Sequence, residues 1–418
     1  MQSTLHINDN NLLLQQGKSI ERSQGYVWIN RESLEFDQAA VKNCRLHPQQ
    51  INSRYWQQCD QSSIPKNDAG MRHAGDLIWK HLLQYQQAGA SELSLVVPSH
   101  YQSANLQLLL GIAKASNIKV TALVNKAVLA TIAHIKEVGR YCHFDVQLHQ
   151  TVVSWLEVKD TNLSVVDVEV IQDVGIQLIE EALLKSLQAN FIQNDRFDPL
   201  HDAAYEQQLF DQLPQLISEL ISTSKATVSV HGKGHTHSVS YEVAELNAVL
   251  QPFFERLAVT KAQAKKAFID FNAALGHSAP KQVSELGFEH LSSEALAPQT
   301  AFSYSGDGEN LIYQTELPLQ GAVASKPVNT EPVTAKGSDG VLHLVFAGRA
   351  VAIEHAQIEL AAGQLDLSYA KAGNAALLLK SGQLFVLGAE NRKQLRANDR
   401  LGSTLVDGVL SVVQVVAS

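Results

Sequence analysis

Cysteine is scarce: Cys44, Cys59 and Cys142 are odd in number and follow neither a CxxC nor a zinc-ligand spacing. That argues against a disulfide framework and points to structural thiols in a reducing compartment. No run approaches the roughly 18 apolar residues of a membrane span, and the opening MQSTLHINDN lacks the basic segment and apolar core of a secretory leader. No block of like charge occurs either. With a formal net charge of -9 and a pI near 6.0, attraction to nucleic acid or to an anionic membrane is disfavoured. The expectation is a cytoplasmic protein with neither nucleic acid nor membrane as a partner. What is present is 418 residues, 45% of them hydrophobic, which suffices for two or three well-packed domains.

Glycine is missing at one telling place. In RYCHFDVQLHQTVVSW, residues 140–155, an apolar strand ends on Asp145 and a second strand follows with no glycine between them. A strand that ends on aspartate usually leads into a turn whose glycines let backbone N–H groups approach a phosphate. Around this stretch, Leu77, Ile78, Leu82 and Tyr85 fall on one helical face that Gly89 closes, and residues 92–98, 103–115 and 118–124 read as strand, helix and strand. That order implies a right-handed parallel crossover. A helix over 126–136 leads into the quoted strands, with a third antiparallel partner at 163–171. Helices at 176–192 and 203–221 precede a hairpin about Gly232-Lys233-Gly234. A helix over 244–257, a strand over 268–271 and a short helix after Pro280 follow. Residues 324–340 are rich in Pro, Thr, Ser and Gly and read as an exposed linker, and 341–418 as a small module of short strands.

The block GDLIWKHLLQYQQAGASELSLVVPSHYQSANLQLLLGIAKASNIKVTALVNKAVLATIAH resembles the nucleotide-binding domain of DnaK-type heat-shock chaperones, members of the actin-like ATPase superfamily. Val97-Pro98-Ser99-His100-Tyr101 follows the family's V-P-A-Y-F, and residues 124–134 follow I-N-E-P-T-A-A-A-I-A-Y position by position. Beyond this block the likeness lies in the order of elements, over about residues 1–322. It implies an α/β chain with two actin-like lobes of ribonuclease H-like topology (1–138 and 139–322), a linker (323–340) and an all-β module (341–418).

The family clamps ATP with two glycine-rich phosphate hairpins and a paired-glycine adenosine motif. The first hairpin, D-L-G-T-T, falls on Asp9-Asn10-Asn11-Leu12-Leu13, and the second, F-D-L-G-G-G-T, on Phe144-Asp145-Val146-Gln147-Leu148-His149-Gln150. The adenosine motif falls on residues 274–280, where Gly276 alone remains of the glycine pair. The family's catalytic glutamate position holds Lys126, and the expected lysine falls near Trp56. A β-carbon at each former glycine obstructs positive φ and close phosphate approach. No lysine or glutamate remains at the matching positions to organise Mg²⁺, phosphate and water. Asp9 and Asp145 are left either to hold a hydrated cation or to cap turns. The reading is a pseudo-ATPase with no catalytic residue, no metal and no cofactor, its eroded site marked by Asp9, Asn10, Asn11, Asp145, Gln147 and Gly276. Its partner would be another protein. The rival is a divergent chaperone-like ATPase using ATP and Mg²⁺ at a rearranged site, and a third reading is a filament or secretion-machinery adaptor.

Other signals have ordinary readings. His231, His235 and His237 sit at a hairpin tip, where solvation is favoured over metal binding. The same segment's GKGHT lacks the spacing and the strand-to-helix context of a P-loop. Tyr55 and Trp56 in SRYWQQC suit either a recognition surface or packing where the lobes close. No Ser-His-Asp or Cys-His set emerges by local motif. In the last module Gly348, Arg349, His355, Ala356, Asp366 and Ser368 resemble a forkhead-associated β-sandwich. That family's phosphothreonine-reading Ser and Arg fall on Ala352 and Ile353, so a plain β-sandwich or barrel, or a reduced chaperone peptide-binding domain, stays open beside it.

Overall fold

The computed structural model describes residues 3–319 apart from 31–32, 68, 160, 233, 262–263, 271–280 and 292–310, and beyond 340 the backbone of eight strands. It divides into two compact units, Met1–Ser325 and Lys326–Ser418.

The first unit is mixed α/β. Its chain runs through β1 (Ser3–His6), β2 (Leu12–Gln16), β3 (Ser19–Ser23), α1 (Ala74–Gln87), β4 (Glu92–Val97), α2 (Ser103–Ala115), β5 (Lys119–Asn125) and α3 (Lys126–Thr131). Then come β6 (Gly139–Val146), β7 (Gln150–Lys159), β8 (Asn162–Gln172), α4 (Ile176–Asp195) and α5 (Ala203–Thr223). The hairpin β9 (Lys225–His231) and β10 (Thr236–Glu242) leads to α6 (Val243–Thr260), β11 (Lys266–Asp270), α7 (Lys281–Glu285), β12 (Phe288–His290), β13 (Tyr313–Gln314) and β14 (Glu316–Pro318).

Two six-stranded sheets share one plan. The first has the order β13-β5-β4-β1-β2-β3 and the second β12-β11-β6-β7-β8-β14. In each, three consecutive strands form an antiparallel meander, and two later strands add in parallel beside the meander's first strand. The central strands are buried on both faces and read as near-continuous apolar runs, as in ELSLVV of β4. Helices α1 and α2 cover the first sheet's core, and α4, α5 and α6 pack with the hairpin on the second. A third apolar cluster, from Val96 and Val124 to Leu156, Phe268 and Leu317, surrounds α3, all six of whose residues are buried. The strand after α6 begins at Lys266, two residues earlier than its apolar run suggests, because Ala267 belongs to the core.

One expected helix is shorter than its pattern. The helix anticipated over 126–136 stops at Thr131, whose hydroxyl donates to the Ala127 carbonyl (2.8 Å), and His134 N–H then closes a tight turn on the Thr131 carbonyl. The chain must reverse there to enter β6. The linker over 324–340 lies outside the described residues. In the second unit the strands at 341–346, 349–352, 400–403 and 406–415 form one four-stranded antiparallel sheet, and 356–361 with 364–369 and 377–380 with 383–386 form two hairpins.

Candidate functional site: an internally closed polar cleft

The turn between β1 and β2 is held by its own side chains. Asn8 Oδ1 accepts from the Asn10 N–H (2.9 Å), and the Asn11 N–H donates to the Asn8 carbonyl (2.8 Å). The matching turn between β6 and β7 closes through the Gln147 N–H on the Gln150 carbonyl (2.9 Å). Neither 8–11 nor 146–150 contains a residue with positive φ. The left-handed backbone that a glycine phosphate hairpin uses is therefore not formed at either place.

The two turns bind each other. Asp9 Oδ1 accepts from the Leu148 N–H (2.7 Å), and Asn8 Nδ2 donates to Asp145 Oδ1 (2.8 Å) and to the Val146 carbonyl (3.1 Å). Gln147 Nε2 donates to Asp145 Oδ2 (3.0 Å), Gln150 Nε2 to Gln147 Oε1 (2.9 Å), and Gln57 Nε2 to Gln150 Oε1 (2.8 Å). The first free N–H groups of α4, a natural anion seat, are spent on this turn: Ile176 donates to the Gln147 carbonyl and Gln177 to the Leu148 carbonyl, both at 2.9 Å. The close approach that glycine permits lies behind the turns. A β-carbon at Gly175 would lie 2.5 Å from the Leu148 carbonyl oxygen, and one at Gly25 would lie 2.6 Å from that of Asp9.

Lys126 supplies the centre of this cleft. Its Nζ lies 2.5 Å from Asp145 Oδ1 and 2.8 Å from Asp270 Oδ2, with all three side chains at most 5% exposed. The parallel register of β11 on β6 sets Asp270 beside Asp145. Burial works against the Lys126 charge, but Asp145 and Asp270 outweigh it and hold the ammonium above its ordinary range. Burial likewise opposes the charged form of Asp145, yet Lys126, with help from His143 and Gln147, holds it below the usual carboxylate value. His6 and His143 lie in the same interior with neither ring nitrogen hydrogen-bonded. Burial, with Lys126 adding to it, lowers His6 to about 3; burial also brings His143 down to about 4, so both rings are neutral at physiological pH. Burial pushes Asp9 up to about 7 against the Leu148 hydrogen bond.

Of the residues singled out in the sequence, the structure brings Asp9, Asn10, Asn11, Asp145, Gln147 and Lys126 to this interior, all buried. Asp145 is not free for a hydrated cation, because Lys126 and Asn8 occupy its Oδ1 and Gln147 its Oδ2. Gly276 and its motif lie outside the described residues. Tyr55 and Trp56 form neither a surface nor a seam between sheets. They are fully buried in the first core, where the Tyr55 hydroxyl (2.8 Å) and Trp56 Nε1 (3.2 Å) meet His81 Nδ1, while Ser53 and Gln57 of the same segment reach His149 and Gln150. His231 and His237 have separate partners, Thr236 and Asp195. Among the described residues no group of three or more His, Cys, Asp or Glu side chains is placed to hold a metal. The cysteines are free and buried, and burial raises each thiol to about 12. No described helix is long and apolar enough to cross a membrane.

In the second unit Arg349 and Ala352 bound one strand, Ala356 opens another, and Asp366 and Ser368 lie on its hairpin partner. Gly348, Ile353 and His355 lie outside the described residues. Sequence reasoning missed Asn8, Gln150 and Asp270, the last of which was legible only as an aspartate ending the apolar strand KAFID. A scan of the chain against protein-family models finds no match, and a search of the curated proteins finds none.

Proposed function

We propose that the chain is a catalytically degenerate relative of the DnaK-type, actin-like ATPases and acts as a protein-binding or scaffold protein. Supporting the fold is the repetition of one strand order in two sheets, each with a meander and two parallel additions, the plan expected of paired ribonuclease H-like lobes. Supporting the loss of chemistry is one observation above the rest: the position of the family's catalytic glutamate holds Lys126, whose ammonium sits between Asp145 and Asp270. In an ATPase such carboxylates attract Mg²⁺ and its phosphates. Here the protein supplies the cation itself.

Mg²⁺ and ATP do not fit these residues. The carboxylates share the Lys126 ammonium, the turns lack the backbone shape for phosphate, and the α4 N-terminus donates to the protein's own carbonyls. Titration calorimetry of the purified chain with ATP and MgCl₂ tests the reading. No saturable heat is expected with nucleotide at about 1 mM, whereas binding in the micromolar range would restore the ATPase reading.

A further inference from the structure

Strand β8 is covered along only part of its outer edge. On one side β7 pairs with it over its whole length, Asn162 to Gln172. On the other side β14 pairs antiparallel with Asn162, Leu163 and Ser164 alone, and the Val165 N–H donates to the Thr315 carbonyl (3.0 Å). From Val166 to Gln172 no second strand pairs with β8 among the described residues. We propose that this stretch takes up an extended segment of another protein, alternating basic and apolar residues, as an antiparallel strand beyond the end of β14. The inference deepens the protein-binding reading given above and rests on it.

The backbone supplies the first argument. Val165 reaches across the open edge to Thr315, and past the bulge at Val166 the Val168 N–H is held by the side chain of its own neighbour, Asp167 Oδ1 (2.8 Å). The register is regular from Asp167 to Gln172, so Val170 presents its backbone on the same side as Val168. Such a row is a template for a further strand. The stretch has no proline or lysine to blunt it, and Val166, Val168, Val170 and Ile171 are β-branched, which suits extended backbone.

The side chains state which strand would fit. Residues opposite one another on paired strands share a sheet face. Val168 and Val170 stand opposite Ser154 and Val152, while Asp167 and Glu169 stand opposite Trp155 and Val153. Along the open edge, half-buried valines therefore lie on one face and exposed carboxylates on the other, with exposed Asp173 just beyond. An added strand meets apolar neighbours at every second residue and anionic ones between them. A second copy of this chain is a poor occupant: β8 paired with itself about Val168 or Glu169 sets carboxylate against carboxylate, which destabilises the pair. A basic segment reverses that sign, and the chain's net charge of -9 draws it in.

The test uses the full chain and two acetylated, amidated peptides of equal length and pattern, KVKVKVK and EVEVEVE. By fluorescence anisotropy the basic peptide should bind saturably at about 10–100 µM, more weakly as salt is raised, and EVEVEVE at least about tenfold more weakly. Asp167→Lys with Glu169→Lys should reverse that preference. Backbone methylation separates strand addition from attraction to a negative chain. In antiparallel pairing the valine N–H groups of KVKVKVK meet the Val168 and Val170 backbone, so methylating them should weaken binding about tenfold or more, whereas methylating the lysine N–H groups should change it less than about threefold. Sedimentation equilibrium should show the free chain as a monomer. The proposal is overturned if KVKVKVK shows no saturation by about 1 mM, if the two peptides or the two methylated forms bind alike, or if the free chain is a dimer that Val170→Pro dissociates, which assigns the edge to a second copy. The nucleotide titration is read separately: a chain that binds both ATP and KVKVKVK overturns only the loss of ATPase chemistry, and one that binds neither overturns only this proposal.

Discussion

Lys126 carries its charge into a place where desolvation costs several kcal/mol, and its two carboxylate partners offset that cost at 2.5 and 2.8 Å. Lys126→Ala leaves Asp145 and Asp270 buried with no counter-cation and should lower unfolding free energy by about 3–5 kcal/mol, read from urea denaturation. Replacing the three together, as Lys126→Met with Asp145→Asn and Asp270→Asn, should cost clearly less, because the penalty belongs to the stranded charges. Asp9 gives a pH signature of definite sign. Its folded pKa is raised to about 7 from an ordinary value of 3.8, so between these values the folded state holds the extra proton. Its contribution to stability is present at low pH and is lost as pH rises towards and past 7, by as much as about 4 kcal/mol. Asp9→Asn keeps an acceptor for the Leu148 N–H and should therefore melt higher than the parent at pH 8 and nearly equally at pH 4. His6 and His143 act in the other direction. Their folded pKa values are lowered to about 3 and 4, so the stability they contribute above the ordinary histidine value of about 6.5 is lost as pH falls.

At the scale of elements, the turn over 146–150 is a structural joint. Gln147, Leu148 and His149 occupy the turn, and Gly175 behind it lets the start of α4 approach the turn's backbone. Gly175 is extended, with φ at -139°, so its value is space alone. Gly175→Ala would set a β-carbon 2.5–2.7 Å from three backbone atoms of 147–150 and should destabilise by about 1–3 kcal/mol. Faster hydrogen exchange at the Leu148 amide would be the local reading of the same change; an unchanged melting temperature would contradict the packing described. Most elements were legible, because an apolar period along a helix or strand is a local property. The end of α3 was not, since its stop at Thr131 follows from the route into β6. Nor was the fate of Tyr55 and Trp56, whose polar atoms are satisfied by His81 from a different helix.

For the first unit as a whole, β13 and β14 form a strap. Tyr313 and Gln314 add in parallel to β5 of the first sheet, and two residues later Glu316–Pro318 adds antiparallel to β8 of the second. Asn125 Nδ2 donates to the Tyr313 hydroxyl (2.8 Å), and Leu317 is 1% exposed in the cluster around α3. Leu317→Ala opens a cavity where both sheets meet that cluster and should cost about 2–5 kcal/mol in denaturant unfolding. The sequence by itself determined the absence of glycine from both turns, the lysine at position 126 and the alternation of strands and helices, since each resides in neighbouring residues. Only the tertiary structure decided that the Lys126 ammonium meets Asp145 and Asp270, and that Asn8 and Asp9 of one turn bind the other turn. Those pairings join segments far apart in the chain, and parallel strand register with helix packing, neither of them local, brings the groups within hydrogen-bonding reach.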